Sequence, residues 1–351
     1  MKIKNIGIIY LFSFFISIGY GQVTIIDSNT NHPISNAKIF TQGGRIITVS
    51  NLEGLISTSG LNLNRSDSIE IYHPNYISNK TTWENFNKKD LSYLIPAQFT
   101  DLPEVLISEK KAEYMILKGY YVSYQIIDSV PQSFSDGIIE YYIDLKKEKV
   151  VGERIIESRV FKNTSFIKKK RNTSFNLGTN ILPFNFKEEI LLSDWNKYDV
   201  RENGEIIRNE KIVGKKSSGD QTDITIVYNS PENPKKRSLF GMESIIYNHT
   251  LSEKFESSTP KIEGIKSLAK YYNSSITQKG ITFNYELVQD FYVLDKNFLS
   301  REKYKSLERQ QENPVEIGTN FWEQPFSSAI PLFLKTMFHN QLELISKNEG
   351  K

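Results

Sequence analysis

A chain of 351 residues exceeds what one hydrophobic core usually organises, so two folded parts are expected. With 38% hydrophobic and 24% charged residues, 19 Tyr and 21 Phe, it is an ordinary globular sequence rich in strand-favouring aromatics, which excludes disorder as its dominant state. The net charge is +3, and two of the positives, Lys2 and Lys4, belong to a leader; the remainder has no long-range field for gathering phosphates, so nucleic acid is not an expected partner. The absence of cysteine excludes disulfides, thiol catalysis, cysteine-based zinc sites and a lipid anchor on a leading cysteine.

At the amino terminus, Lys2 and Lys4 precede an apolar run from Ile6 to Ile18, which the small residues Gly19 and Gly21 close before Gln22. Charge, apolar stretch and small-residue end make the pattern of a cleaved export signal over residues 1–21. The run of about thirteen residues is short of the roughly 20 that cross a bilayer as a helix, and no later stretch suffices. The expectation is a mature chain without a transmembrane span, in the periplasm or associated with the outer membrane.

From Gln22 to about Ser108, short β-favouring runs alternate with turn residues, as in an all-β sandwich. Strands are predicted near 23–26, 38–41, 45–49, 55–57, 68–72, 78–83, 91–94 and 104–107. Gly43-Gly44 fits a two-residue hairpin turn, because glycine accepts the positive φ such turns need. Ser50-Asn51-Leu52-Glu53-Gly54 predicts a second tight hairpin, with the Asn51 side chain bonding the backbone ahead and Gly54 left-handed.

The runs Val23–Asp27, Asn31–Ile34, Ala37–Ile39, Ser50–Gly54, Asp67–Ile69 and Pro74-Asn75-Tyr76 together resemble the carboxypeptidase-regulatory-like domain, a transthyretin-like sandwich of exported Bacteroidota envelope proteins. Leu102–Ile107 resembles the strand that usually follows it. Ile56 stands where the family often has Phe, and Asn75 where Gly often precedes the Tyr; both suit a sandwich, as a β-branched residue fills an inward site and Asn tolerates left-handed backbone. The resemblance covers residues 22–108. It implies a spacer or docking module and carries no catalytic residues. A peptidase would need two histidines and a glutamate on one zinc ion. His32, His73, His249 and His339 have no metal-ligand spacing, so each is read as a surface or packing residue and no metal or other cofactor is expected.

Residues 109–351 are read as a second, α+β part built on a long-stranded antiparallel sheet with a few helices. Glu109 to Lys118 predicts a connecting helix or tether. The period then becomes two: Tyr120, Val122, Tyr124 and Ile126 alternate with Tyr121, Ser123, Gln125 and Ile127. Next, Ile139, Tyr141, Ile143 and Leu145 oppose Ile138, Glu140, Tyr142 and Asp144, and a third long strand runs from Val150 to Phe161. Helices are expected at Lys187–Trp195, through Ile262, Ile265, Leu268, Tyr271 and Tyr272, and through Leu334, Met337, Phe338, Leu342 and Ile345. Further strands are expected at 205–207, 223–228, 242–249, 281–285 and 287–294.

Glu153, Glu157 and Arg159, read as facing outward, oppose a lipid-facing barrel. Lys168-Lys169-Lys170-Arg171 reads as a solvated loop, and Trp83, Trp195 and Trp322 as core. The Asn-X-Ser/Thr tripeptides at Asn79, Asn163, Asn172, Asn248 and Asn273 are what chance supplies in an Asn- and Ser-rich chain. No nucleophile elbow, phosphate loop or zinc-protease motif occurs, so no catalytic, cofactor-binding or metal-binding residue is assigned. The sequence points to a non-catalytic envelope binding or scaffolding protein whose partner is an envelope protein or outer-membrane component. The alternatives are a carrier holding a lipid or other apolar ligand in a curved-sheet cavity and, third, a hydrolase with carboxylates assembled only in three dimensions.

Overall fold

A computed structural model of the chain describes residues 21–96, 112–165, 198–219, 221–231, 233–239, 241–307, 315–316 and 330–344. The leader, the exit strand at 104–107, the basic run 168–171 and the helix expected at 187–195 lie outside the described residues, as do Trp195, Trp322 and Asn172.

The protein is mainly β. Its first part comprises β1 (Gln22–Asp27), β2 (Lys38–Thr41), β3 (Ile46–Val49), β4 (Leu55–Ser57), β5 (Ser68–Tyr72), β6 (Asn79–Thr82), the short helix α1 (Trp83–Asn87) and β7 (Leu91–Leu94). Two sheets, β4-β1-β7 and β3-β2-β5-β6, face each other. Between them Val23, Ile25, Ile39, Ile56, Ile69, Ile71, Trp83 and Phe86 form a closed core, so Ile56 fills an inward site and Trp83 is core as read. Trp83 begins α1 rather than ending a strand, because the Thr82 hydroxyl accepts the Asn85 N–H and caps the helix start.

The glycine turn does join β2 to β3 as a hairpin, but through three residues, Gln42 to Gly44, and not two: the Thr41 N–H donates to Arg45 O at 3.0 Å, the Gly44 N–H donates to Thr41 O at 2.8 Å, and Gly44 takes φ +72° while Gly43 does not take a positive φ. The second turn has the predicted chemistry but a different role. Asn51 Oδ1 accepts the N–H groups of Glu53 and Leu55 at 3.0 and 2.9 Å, and Gly54 takes φ +71°. The strands it joins, β3 and β4, belong to different sheets, so it is a crossover between the layers and not a hairpin.

The second part is an open sheet of 13 strands. Its meander β8 (Tyr114–Ile127), β9 (Val130–Asp144) and β10 (Lys149–Lys162) confirms the alternation read from sequence. The sheet continues through β11 (Asp199–Val200), β12 (Glu205–Arg208), β13 (Lys211–Ser218), β14 (Thr222–Asn229), β15 (Lys235–Leu239), β16 (Met242–Phe255), β17 (Ile265–Gln278) and β18 (Ile281–Leu299). The helix α2 (Arg301–Leu307), β19 (Val315–Glu316), the helix α3 (Leu332–Gln341) and β20 (Glu343–Leu344) complete it. The order β11-β12-β13-β14-β16-β17-β18-β8-β9-β10-β19 places β8 beside β18, far along the chain.

Two expectations are corrected. The segment 109–118 is not a helix where described: β8 begins at Tyr114, because Met115 and Leu117 are wholly buried on one face of the sheet and continue its period of two. The region 262–272 has one 3-10 turn at Ile262–Gly264 and then β17. Leu268 enters the core on one face of β17 and Tyr271 the core on the other, so their three-residue spacing imitated a helix stripe.

One face of the sheet curls over a core of Met115, Leu117, Ile139, Tyr141, Ile143, Ile224, Ile226, Leu251, Phe255 and Phe291, drawn from strands at both ends of its order. The ring of Tyr141 meets that of Phe291 at 5.3 Å, edge to face. The opposite face carries Tyr120, Val122, Tyr124, Phe134, Phe161, Val288 and Tyr292, covered by Phe40, Ile46 and Tyr72 of the sandwich and by Phe333, Leu334, Met337 and Phe338 of α3. Sandwich, sheet and terminal helix therefore share one core. Arg159, expected to face outward, is buried and ion-paired to Asp136, whose carboxylate also accepts the Tyr120 hydroxyl at 2.8 Å. No helix among the described residues is long and apolar enough to cross a membrane.

Candidate functional site

Where the sandwich meets the sheet, the contact is apolar on one side and polar on the other. The apolar side centres on β2 and β5, whose outward residues Lys38, Phe40, Glu70 and Tyr72 press on the sheet while Ile39, Ile69 and Ile71 fill the sandwich. Lys38 is wholly buried; its ammonium has no hydrogen-bond partner and lies 5.3 Å from the ring centre of Tyr271. Tyr72 donates to Asp290 Oδ2 at 3.2 Å, while Asp290 Oδ1, Tyr124 Oη and Glu286 Oε2 have no hydrogen-bond partner. Burial pushes the Lys38 ammonium down to about 8 against the pull of Asp290. Burial likewise pushes Asp290 up to about 7 and Glu286 up to about 8. These atoms are closed off from the surface, so the cluster is a buried weld of ionisable groups between the two parts and not an open ligand pocket.

The polar side opens into a groove of about 740 Å³. Its floor comes from strand registry: Ser217, Asp223, Lys254 and Ser267 are successive cross-strand partners on β13, β14, β16 and β17, and Lys215, Thr225 and Ser252 form the next row. One wall is the sandwich loop 27–35, and beside it stand His73, Asn75 and Tyr76. Arg201, Glu202, Asn203 and Lys216 form the other wall. Ser35 Oγ donates to Thr225 Oγ1 at 3.0 Å and Ser267 Oγ to Asn75 Oδ1 at 2.9 Å, so sandwich and sheet are pinned together at the groove's base.

The ionisable groups in the groove fall into two sets. Asp27 is fully engaged: Oδ1 accepts the N–H groups of Asn29 and Thr30 at 2.7 and 3.0 Å, and Oδ2 accepts the Tyr76 hydroxyl at 2.9 Å. Burial raises Asp27, but those hydrogen bonds and Lys254 outweigh it and hold the carboxyl below its usual range. Asp223 is different. Burial raises its carboxyl above the usual range against the attraction of Lys254, with Asp27 adding to the rise. Among the described residues its carboxylate makes no hydrogen bond, and no ion pair joins it to Lys254 within 4.0 Å. The Lys254 ammonium instead sits 6.0 Å from the centre of the Tyr76 ring. A second groove of about 600 Å³ lies on the other side of Ser35, between 46–57 and residues of β13, β14 and β16.

The four histidines are not brought together. His32 is exposed on the groove wall, and His73 is buried and held neutral by desolvation and by Lys38 and Lys254. His339 is exposed on α3. His249 sits in a row of rings across four strands, 4.7 Å from Tyr228 and 5.6 Å from Tyr272, which is 6.0 Å from Tyr285; burial lowers it to about 4. Among the described residues no three His, Asp or Glu side chains gather as a metal site. Sequence reading missed Asp223 and Lys254, whose one local signal is the polar member of an alternating strand in Thr222-Asp223-Ile224-Thr225.

What the fold and groove define is a class: a mainly β protein in which a two-sheet sandwich and a long antiparallel sheet form one body with a polar groove at their junction. No family model matches the chain, and no curated protein matches it either.

Proposed function

We propose that this is an exported, non-catalytic binding or scaffolding protein of a bacterial cell envelope, with a carboxypeptidase-regulatory-like sandwich as its first part and an envelope protein or outer-membrane component as its partner. The observation that carries this reading is the junction. A shared core welds sandwich to sheet, and an open, polar space of about 740 Å³ beside that weld is built from both parts. A rigid body presenting a preformed polar groove suits recognition. The interior of the sheet's curl is filled by side chains such as Tyr141, Phe255 and Phe291, which favours binding at the surface over carriage of an apolar ligand inside. Asp27 in the groove is committed to holding a turn, which speaks against its service as the second carboxylate of a hydrolase.

Cell fractionation with amino-terminal sequencing of the recovered protein tests the export part. The mature chain is expected in the envelope, beginning at or next to Gln22. An intact chain from Met1 in the cytosol would overturn the reading.

A further inference from the structure

The groove deepens the proposed function by naming the chemistry of its ligand, and the inference rests on that reading only in taking the groove as a binding surface. Asp223 and Lys254 stand side by side on its floor, cross-strand partners on β14 and β16, both half-buried. Cβ atoms of such partners lie about 5 Å apart. Opposite charges at that spacing normally close on each other, but here they do not. Lys254 leans over the Tyr76 ring, and Asp223 faces the groove without a hydrogen bond. Asp223 has thus been taken partly out of water without a hydrogen bond among the described residues, a costly arrangement that a bound cation would relieve, while Lys254 is held only by the Tyr76 ring and the field of Asp27.

We propose that the groove binds a zwitterionic amino-acid head, an ammonium and a carboxylate on one carbon, carried on a short peptide. The ammonium pairs with Asp223 and the carboxylate with Lys254. The two residues stand on adjacent strands with more than 4.0 Å between their charged atoms, a gap that a head group carrying both charges can bridge. A neutral sugar would satisfy neither charge, and a simple anion would face Asp223. The surroundings suit the rest of such a ligand. Ser217, Thr225 and Ser252 supply hydroxyls along the floor, while Lys215 and Lys216 stand on β13, beyond Asp223 from Lys254. Arg201 is already paired with Glu205 at 2.8 Å and is left out of the assignment. A space of about 740 Å³ holds a head group with one or two residues behind it.

Calorimetry on the purified mature chain with γ-glutamyl-alanine, whose γ-linked glutamate carries such a head, tests this. Binding is expected, with at least a tenfold loss on N-acetylation of the peptide and a similar loss on esterifying its α-carboxylate, since each removes a charge-assisted contact. Asp223→Asn should weaken the free peptide at least tenfold yet leave the N-acetylated one unchanged. Lys254→Met should show the converse selectivity, against the carboxylate. Circular dichroism and melting of both variants establish that they fold; Asp223→Ser and Lys254→Gln replace any that do not. Absence of binding, equal binding of blocked and free peptides, or tighter binding of maltotriose would overturn the proposal. Because it uses pure protein, that failure would leave export and envelope location standing, and a cytosolic location would leave a measured affinity standing.

Discussion

Glu70 makes the sharpest single prediction. It is wholly buried on β5, yet its carboxylate belongs to the other end of the chain: Oε1 accepts the Leu332 N–H at 2.8 Å and Oε2 the Phe333 N–H at 3.0 Å. These N–H groups open α3, whose N-cap, Pro331, gives no side-chain hydrogen bond. The sandwich thus caps a helix some 260 residues away in sequence, and the negative charge also meets the positive end of the helix dipole. Removing an N-cap costs about 1 kcal/mol. Hydrogen bonds to a buried charged group are each worth roughly 1.5–3 kcal/mol, and the two here share one acceptor. Glu70→Ala should therefore cost about 3 kcal/mol, and Glu70→Gln, which keeps one carbonyl acceptor, roughly half of that. Urea unfolding of the protein gives the total, and hydrogen exchange locates it. Amides of 332–341 and the packing of Phe333, Leu334 and Phe338 against the sheet should lose protection first. A loss below about 0.5 kcal/mol with α3 still protected would refute the claim that this contact ties the terminal helix down.

The charged weld predicts an unusual pH response. Asp290 and Glu286 hold protons more tightly folded, about 7 and about 8, than their ordinary 3.8 and 4.5, so both contribute stability at low pH that is lost as pH rises through that window. Lys38, at about 8 against 10.5, adds a rise in stability only above about pH 8. Asp290→Asn should therefore gain on the wild type as urea-unfolding experiments move from pH 4 to pH 7; a gap that stays constant contradicts the assignment. Phe291→Ala should cost about 4 kcal/mol in the same assay, because it empties the centre of the curl beside Tyr141; under 1 kcal/mol would mean that the curl is not closed there. Gly54→Ala should cost about 2 kcal/mol, since φ is +71° and an added Cβ would come within 2.7 Å of the Ile25 carbonyl oxygen; an unchanged melting temperature would contradict the crossover geometry.

What the sequence disclosed was periodic and local. Ile138 to Ile143 alternates because Ile139, Tyr141 and Ile143 are buried while Ile138, Glu140 and Tyr142 are only partly so; Tyr120 to Ile127, buried on both faces, was legible instead as a run of aromatic and β-branched residues ended by a turn. The Asn51 and Gly54 turn was legible because it too is local, but not that it changes sheets, since the pairing of β4 with β1 is decided far from the turn. Where both faces of a strand are buried the period vanishes, and β17 passed for a helix. Arg159 looked like a surface charge because its partner Asp136 lies on the neighbouring strand, 23 positions away. The groove was invisible for a stronger form of that reason. Its wall residues near 27–35 and 73–76 and its floor residues Asp223 and Lys254 carry no mutual sequence signal, and only the docking of sandwich on sheet brings them together.

The groove at the junction is proposed as the protein's binding face. A photoreactive amino acid at Glu202, on the groove wall, compared in living cells with one at Lys279, on the exposed β17–β18 turn, tests it most directly. A discrete adduct from position 202 that is absent from position 279, and that fades in the Asp223→Asn background, is the predicted result. Equal labelling from both positions, or none from 202, would contradict it.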